Sequence, residues 1–151
     1  MKFSALVLSQ DEELQIGDCL RSLAPASRVV VLDSGSTDRT LEIARAFDQV
    51  EIVSRPFSSF ADQRNFGLRR FAAGEWVLHL DADERLTPAL ADELQALVPP
   101  AEAVAYNLAG LVFIQGRPVP RSSGFPVYQT RLTKAGAFEF EQVGHGQKAP
   151  A

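Results

Sequence analysis

The stretch from Arg28 to Thr40 reads R-V-V-V-L-D-S-G-S-T-D-R-T. A continuous branched apolar run ends in an acid, and a turn of small residues follows at once. Alternating polarity would mark a strand with one wet face. Val29, Val30, Val31 and Leu32 instead predict a strand buried on both faces, as in a parallel sheet. Gly35 permits the tight turn, and Ser36 or Asp38 is placed to cap a helix carrying Leu41, Ala44 and Phe47. Strand, turn and helix in that order make one βα unit.

The same unit recurs on either side. Phe3 to Leu8 predicts a buried strand, followed by a helix that starts at Asp11, Glu12 and Glu13, where the macrodipole favours acids, and runs to about Leu23. Val50 to Val53 is a further strand, and Phe60, Arg64, Gly67, Leu68 and Phe71 recur at helical spacing. Trp76 to Leu80 predicts the fourth strand. Thr87-Pro88 starts the next helix, with Leu90, Leu94 and Leu97 as its stripe and Pro99-Pro100 as its end. Repeated βα units imply right-handed crossovers and a mainly parallel central sheet flanked by helices. From Ala103 to Phe140 the pattern changes to short strands, glycines and prolines. The expected organisation is one α/β domain over 1–151, with a nucleotide-binding half over 1–100 and a short irregular acceptor-side half over 101–151.

The 151 residues are 46% hydrophobic and 23% charged, enough for one sizeable core. A net charge of -4 offers no basic surface for nucleic acid. The single cysteine, Cys19, falls on the apolar face of Ile16, Leu20 and Leu23 and is expected to be a packed thiol. No apolar run approaches the ~20 residues that cross a bilayer, and M-K-F-S-A-L-V-L-S-Q reads as a strand, not a signal peptide. A cytoplasmic chain is expected, with peripheral association at the inner face of the cytoplasmic membrane left open.

In open α/β sheets ligands bind beyond the carboxyl ends of the strands. Acids gather at three such ends: Asp11/Glu12, Asp33, and Asp81/Asp83 in L-D-A-D-E-R-L-T-P. Asp81 and Asp83 alternate around Ala82, so an extended segment would turn both carboxylates to one side. Two carboxylates so placed suit a hard divalent cation, Mg2+ or Mn2+, which is completed by substrate phosphates.

Three linked stretches, V-V-V-L-D-S-G-S-T-D-R-T, F-A-D-Q-R-N-F-G-L and G-E-W-V-L-H-L-D-A-D-E-R-L-T-P, closely resemble family 2 glycosyltransferases, nearest to the bacterial lipopolysaccharide-core glucosyltransferase type. The resemblance implies the GT-A fold, a nucleotide-diphosphosugar donor (a UDP-sugar foremost), a divalent metal, and a saccharide or lipid-linked acceptor. It implies that Asp33 binds the base, that Asp81 sits by the ribose and metal, and that Asp83 coordinates the metal. Ser9, Asp11 and Glu12 would line the nucleotide pocket, with Arg64 and Asn65 on the same side. His145, in V-G-H-G-Q, would add a metal ligand, whereas His79 inside its strand reads as a core residue.

An inverting transferase also needs a general base. Relatives carry an acid shortly before a segment like Y-Q-T-R-L, where this chain has Val127, which cannot accept a proton. Glu139 and Glu141 are the substitutes the sequence offers. Two further readings stay open. One is a GT-A-like nucleotide-sugar-binding domain with little or no transfer. The other is a phosphoacceptor-type α/β domain with Asp33 or Asp81 as nucleophile, which would want a convergent lysine; only Lys2, Lys134 and Lys148 exist.

Overall fold

The computed structural model describes residues 1–114, 117–119, 126–143 and 146–148. Six strands form one sheet in the order β3-β2-β1-β4-β8-β5. Strands β1 (Ser4–Ser9), β2 (Val29–Asp33), β3 (Val50–Ser54) and β4 (Trp76–Asp81) are parallel. The long β8 (Val127–Lys134) runs antiparallel to both β4 and β5 (Ala105–Gly110). Two short pairs stand apart: β6 (Phe113–Ile114) with β7 (Arg117–Pro118), and β9 (Glu141–Val143) with β10 (Gly146–Lys148). Among the described residues the helices are α1 (Ile16–Ser22), α2 (Thr40–Ala44), α3 (Phe60–Leu68) and α4 (Pro88–Ala96). None among the described residues is long and apolar enough to cross a membrane.

The uninterrupted apolar run of β2 is explained by its two partners. Val29 and Val31 join the core that α1, α2 and α4 cover, while Val30 and Leu32 join the core beneath α3. All four are essentially excluded from water, and full burial of one such side chain contributes roughly 1.5–3 kcal/mol. Cys19 packs in the first core, where burial pushes its thiol up to about 12. The sheet is mostly parallel and its order reverses between β1 and β4. That reversal leaves a crevice at the carboxyl ends of these strands.

Four helix boundaries depart from expectation. Helix α3 stops at Leu68, short of Phe71, and α4 stops at Ala96, short of Leu97. Helix α1 begins at Ile16, not at the acids, because Asp11 to Gln15 form a turn in which Gln15 N and Ile16 N both donate to Glu12 O. The acids are drawn to a neighbouring loop instead, as described below. Helix α2 stops at Ala44, short of Phe47. The start of α4 is as predicted: Pro88 occupies the first turn and the Thr87 hydroxyl accepts from Leu90 N at 3.2 Å.

Candidate active site

The β1–α1 and β2–α2 loops interlock. Asp33 is fully buried at the end of β2, and its two carboxylate oxygens accept from Ser9 Oγ (3.2 Å), Gly35 N and Ser36 N (both 2.9 Å) and the Ser36 hydroxyl. Gly35 has φ 98°, a conformation that glycine adopts without strain. In the facing loop, Asp11 also has a positive φ, 52°. Its carboxylate accepts from Thr37 N at 2.6 Å, and its own N–H donates to Ser36 Oγ at 2.9 Å. Glu13 and Asp38 exchange the same favour across the gap: Glu13 N donates to Asp38 Oδ2 and Arg39 N donates to Glu13 Oε2, both at 3.0 Å. The backbone of Glu12 donates to Thr40 Oγ1 at 2.7 Å. The acids after β1 therefore satisfy amides at the start of α2. Asp38 Oδ1 accepts from Thr40 N at 2.9 Å, but the N-cap position expected for Ser36 or Asp38 is held by Arg39, whose side chain makes no cap hydrogen bond.

The D-A-D segment is not extended. Asp81 closes β4, and the chain turns at once, with Ala82 N donating to Leu8 O (3.0 Å) and Glu84 N to Asp81 O (2.9 Å). Ala82 is buried in the core beneath, so the turn is pinned there and Asp83 stands exposed at its tip. The two carboxylates thus have different surroundings instead of a common face. Asp83 has no hydrogen bond or ion pair among the described residues. Its charge is felt at Glu12, whose carboxyl is raised by burial and by Asp83, Asp38 and Asp81, against the pull of Arg85. The loops after β1, β2 and β4 therefore share one negative field.

Asp81 is held by two arginines. Arg64, on α3 and 2% exposed, donates from Nη2 to Asp81 Oδ1 at 2.7 Å. Its Nε and Nη1 are buried without a partner among the described residues. Burial lowers the guanidinium to about 10, opposed by Asp81, so it stays charged at neutral pH. Arg131, on β8, reaches Asp81 Oδ2 at 3.5 Å and Glu84 Oε1 at 2.6 Å. Glu84 Oε2 in turn accepts Asp81 N at 2.9 Å. Arg85, the neighbour that looks like a partner for Glu84, turns its side chain to the backbone of Ala82 and to Gln15. Arg131 and Glu84 were not among the residues read from sequence as site residues. The available signal was an arginine in Y-Q-T-R-L, within a strand that must pair with β4.

The other sequence candidates are scattered. Asn65 holds the Phe140 backbone with both amide atoms, at 2.9 and 2.7 Å. With Arg69, Phe71, Gly136 and Glu139 it lines an open hollow of about 580 Å3. Ala73 and Ala137 line the same hollow, and Glu139 makes no hydrogen bond or ion pair with Asp81 among the described residues. Glu141 is exposed at the start of β9. Val127 opens β8 and is 49% exposed; because β8 is antiparallel to β4, it lies on the Asp81 side of the sheet. His145 falls outside the described residues. His79 is fully buried, with Nε2 2.8 Å from Thr133 Oγ1 and its ring edge-on to Phe140, the core position expected for it.

A mostly parallel sheet with acid-bearing loops gathered at the carboxyl ends of β1, β2 and β4 is the GT-A arrangement of nucleotide-sugar transferases. The chain belongs to glycosyl transferase family 2, whose model matches residues 4–140. It is similar to the lipopolysaccharide core biosynthesis glycosyltransferase LpsC of Rhizobium meliloti, 30% identical over 77% of this chain and 44% of that protein. An uncharacterized glycosyltransferase of Rickettsia prowazekii is 27% identical over 80% of this chain and 42% of its own length. The crystal structure of Staphylococcus aureus TarS 1-349 superimposes with a TM-score of 0.58 at 22% identity, covering 93% of this chain and 50% of that one. The chain thus spans less than half the length of these curated relatives.

Proposed function

We propose that the chain carries the donor site of an inverting, divalent-metal-dependent hexosyltransferase. It would use a nucleotide-diphosphosugar, a UDP-sugar foremost, and pass the sugar to a saccharide or lipid-linked hydroxyl in cell-envelope polysaccharide or lipopolysaccharide synthesis on the cytoplasmic side. The relatives' names support the acceptor class: LpsC is named for lipopolysaccharide core biosynthesis, and TarS is a poly(ribitol-phosphate) β-N-acetylglucosaminyltransferase. Residues 1–100 form the donor half in this reading and 101–151 a short acceptor-side half.

The observation that carries the proposal is the β4 turn. It presents one exposed, unpaired carboxylate, Asp83, in a field already made negative by Glu12, Asp38 and Asp81. Such a field favours a cation, and the donor set is all oxygen, as Mg2+ or Mn2+ prefers. Among the described residues no three His, Cys, Asp or Glu side chains are grouped to hold a metal. Asp83, with Asp81, would therefore hold the ion only together with diphosphate oxygens. Bound in that way, it supplies positive charge to the departing diphosphate.

The chain's own residues do the rest. Asp33 shapes the wall of the base pocket through its four donors; a base could reach it only by displacing a hydroxyl of Ser9 or Ser36. Asp11 and Glu12 hold the two loops against each other, and Arg64 fixes the orientation of Asp81. Titrating UDP with and without Mn2+ tests the reading: binding should require the metal, and Asp83→Ala should abolish it. Metal-independent binding overturns it.

Val127 favours a second reading, a domain that binds the donor but transfers little. It stands on the site side of β8 where the resemblance leads one to expect an acid, and Glu139 lines the hollow beside Asn65 and Phe71 instead. Hydrolysis assays across UDP-, dTDP- and GDP-sugars separate the two readings.

A further inference from the structure

Four charged side chains close the floor of the crevice: Arg64 and Arg131 against Asp81 and Glu84. The arrangement is lopsided. Arg64 grips Asp81 Oδ1 at 2.7 Å from inside the protein, while Arg131 binds Glu84 closely at 2.6 Å and only leans on Asp81 Oδ2 at 3.5 Å. Arg131 is 13% exposed, against 35% for both carboxylates, so it approaches them from beneath. A cation on Asp81 Oδ2 would lie close to this guanidinium, and two positive charges within a few ångströms repel in a partly desolvated site. Two groups draw Arg131 the other way: the Glu84 carboxylate, and Gln129 Oε1, which accepts from Arg131 Nε at 3.0 Å; of the two only Glu84 is charged. Its second oxygen is committed to Asp81 N, so Glu84 is fixed to the turn it serves.

We propose that Arg131 is a positioning residue that competes with the divalent cation for Asp81 Oδ2, and that Glu84 is the counter-carboxylate that keeps Arg131 off that oxygen. The proposal rests on the metal-dependent reading above. Arg131 acts through Asp81 and does not touch the cation. While it is parked on Glu84, Asp81 Oδ2 is free to face the cation or the ribose, and Oδ1 stays locked by Arg64. When Glu84 is replaced by glutamine, Arg131 has a single carboxylate left and closes on Asp81.

The test is the Mn2+ concentration at which UDP binding, read by calorimetry, is half-maximal, measured in a double-mutant cycle. UDP is included because the ion needs diphosphate oxygens to complete its ligand set. Arg131→Gln should bind Mn2+ about fivefold more tightly or better, and Glu84→Gln about fivefold more weakly or worse, the scale of ordinary site-to-site coupling. Gln at position 84 keeps an oxygen for Asp81 N, so the turn itself is retained. In the Arg131→Gln background, Glu84→Gln should change the affinity by less than about twofold, since the group through which it acts is gone.

Loss of any nearby positive charge tightens cation binding somewhat, so what marks Arg131 as the competitor is that the Glu84→Gln effect vanishes with it. Unchanged or weaker binding by Arg131→Gln overturns the proposal, as does a Glu84→Gln penalty that persists without Arg131. Thermal unfolding checks each variant, and Arg131→Met, which keeps the aliphatic stem, replaces the Gln variant if that one fails to fold. Failure of the metal reading looks different: UDP would bind wild type and Asp83→Ala equally well with no Mn2+ present, which removes both.

Discussion

Arg64 is the bulkiest fully buried side chain among the described residues, and its charge is tolerated because Asp81 answers it at 2.7 Å. Asp81→Asn keeps an oxygen for Arg64 Nη2 but leaves the guanidinium uncompensated. The expected cost is about 3 kcal/mol, the low end for breaking a buried pair, because Asp81 is itself partly wet. Urea unfolding with an unchanged slope checks it; a loss below about 1 kcal/mol would mean that the pair is as weak as a surface one. His79 gives a pH prediction. Burial first, then the charges of Arg64 and Arg131, hold its pKa well below the ordinary 6.5. The unfolded chain therefore binds a proton that the folded one refuses. The associated stability is present above 6.5 and is lost as pH falls through and below it, at up to about 1.4 kcal/mol per pH unit. His79→Gln should flatten that acid-side slope in unfolding experiments between pH 6.5 and 5; an unchanged slope would place the proton elsewhere.

Helix α3 meets β1 at one point of very close approach. A Cβ built on Gly67 would lie 2.5 Å from Leu6 Cδ2 and 2.6 Å from Cδ1, and Leu6 has no space to yield, being wholly buried. Gly67→Ala, favourable for an isolated helix by about 1 kcal/mol, should here lower stability by about 1–3 kcal/mol through overpacking. Leu6→Val should recover part of the loss in the double variant, measured by thermal unfolding. Elements like this one were legible in the sequence where a single local force rules. V-V-V-L between two helical faces can only be a doubly buried strand, and Thr87-Pro88 can only begin a helix. Where local forces compete, the sequence misled. Asp11 to Glu13 looked like a helix start, yet the amides at residues 37 and 39 hold Asp11 and Glu13 more firmly than the macrodipole would. D-A-D looked extended, yet the Ala82 side chain and the Glu84 amide bend it. Arg131 was out of reach for a third reason: its partners lie 47 and 50 residues away, and only the antiparallel register Leu78↔Leu132 brings them level.

For the molecule as a whole, the sheet of order 3-2-1-4-8-5 carries two separate regions. The acid-bearing loops crowd the carboxyl end of β1, β2 and β4, while Glu139 lines the separate hollow beside Phe71 and Ala73. Glu139→Gln should therefore leave UDP affinity within about twofold of wild type by calorimetry, as expected for sites without shared partners; a larger loss would bring the hollow and the loops into one site. The lock between the β1–α1 and β2–α2 loops, in which each loop's carboxylates take the other's amides, has a consequence for the entropy of ligand capture. Ordering a loop residue costs about 1–2 kcal/mol, and here that ordering is completed during folding, before any nucleotide arrives. Amide hydrogens of Glu13, Thr37 and Arg39 should already exchange slowly in the free protein and slow little further when UDP is added. The pocket wall would then behave as a rigid mould, and selectivity among nucleotides would come from fit to a fixed shape instead of from closure around the guest.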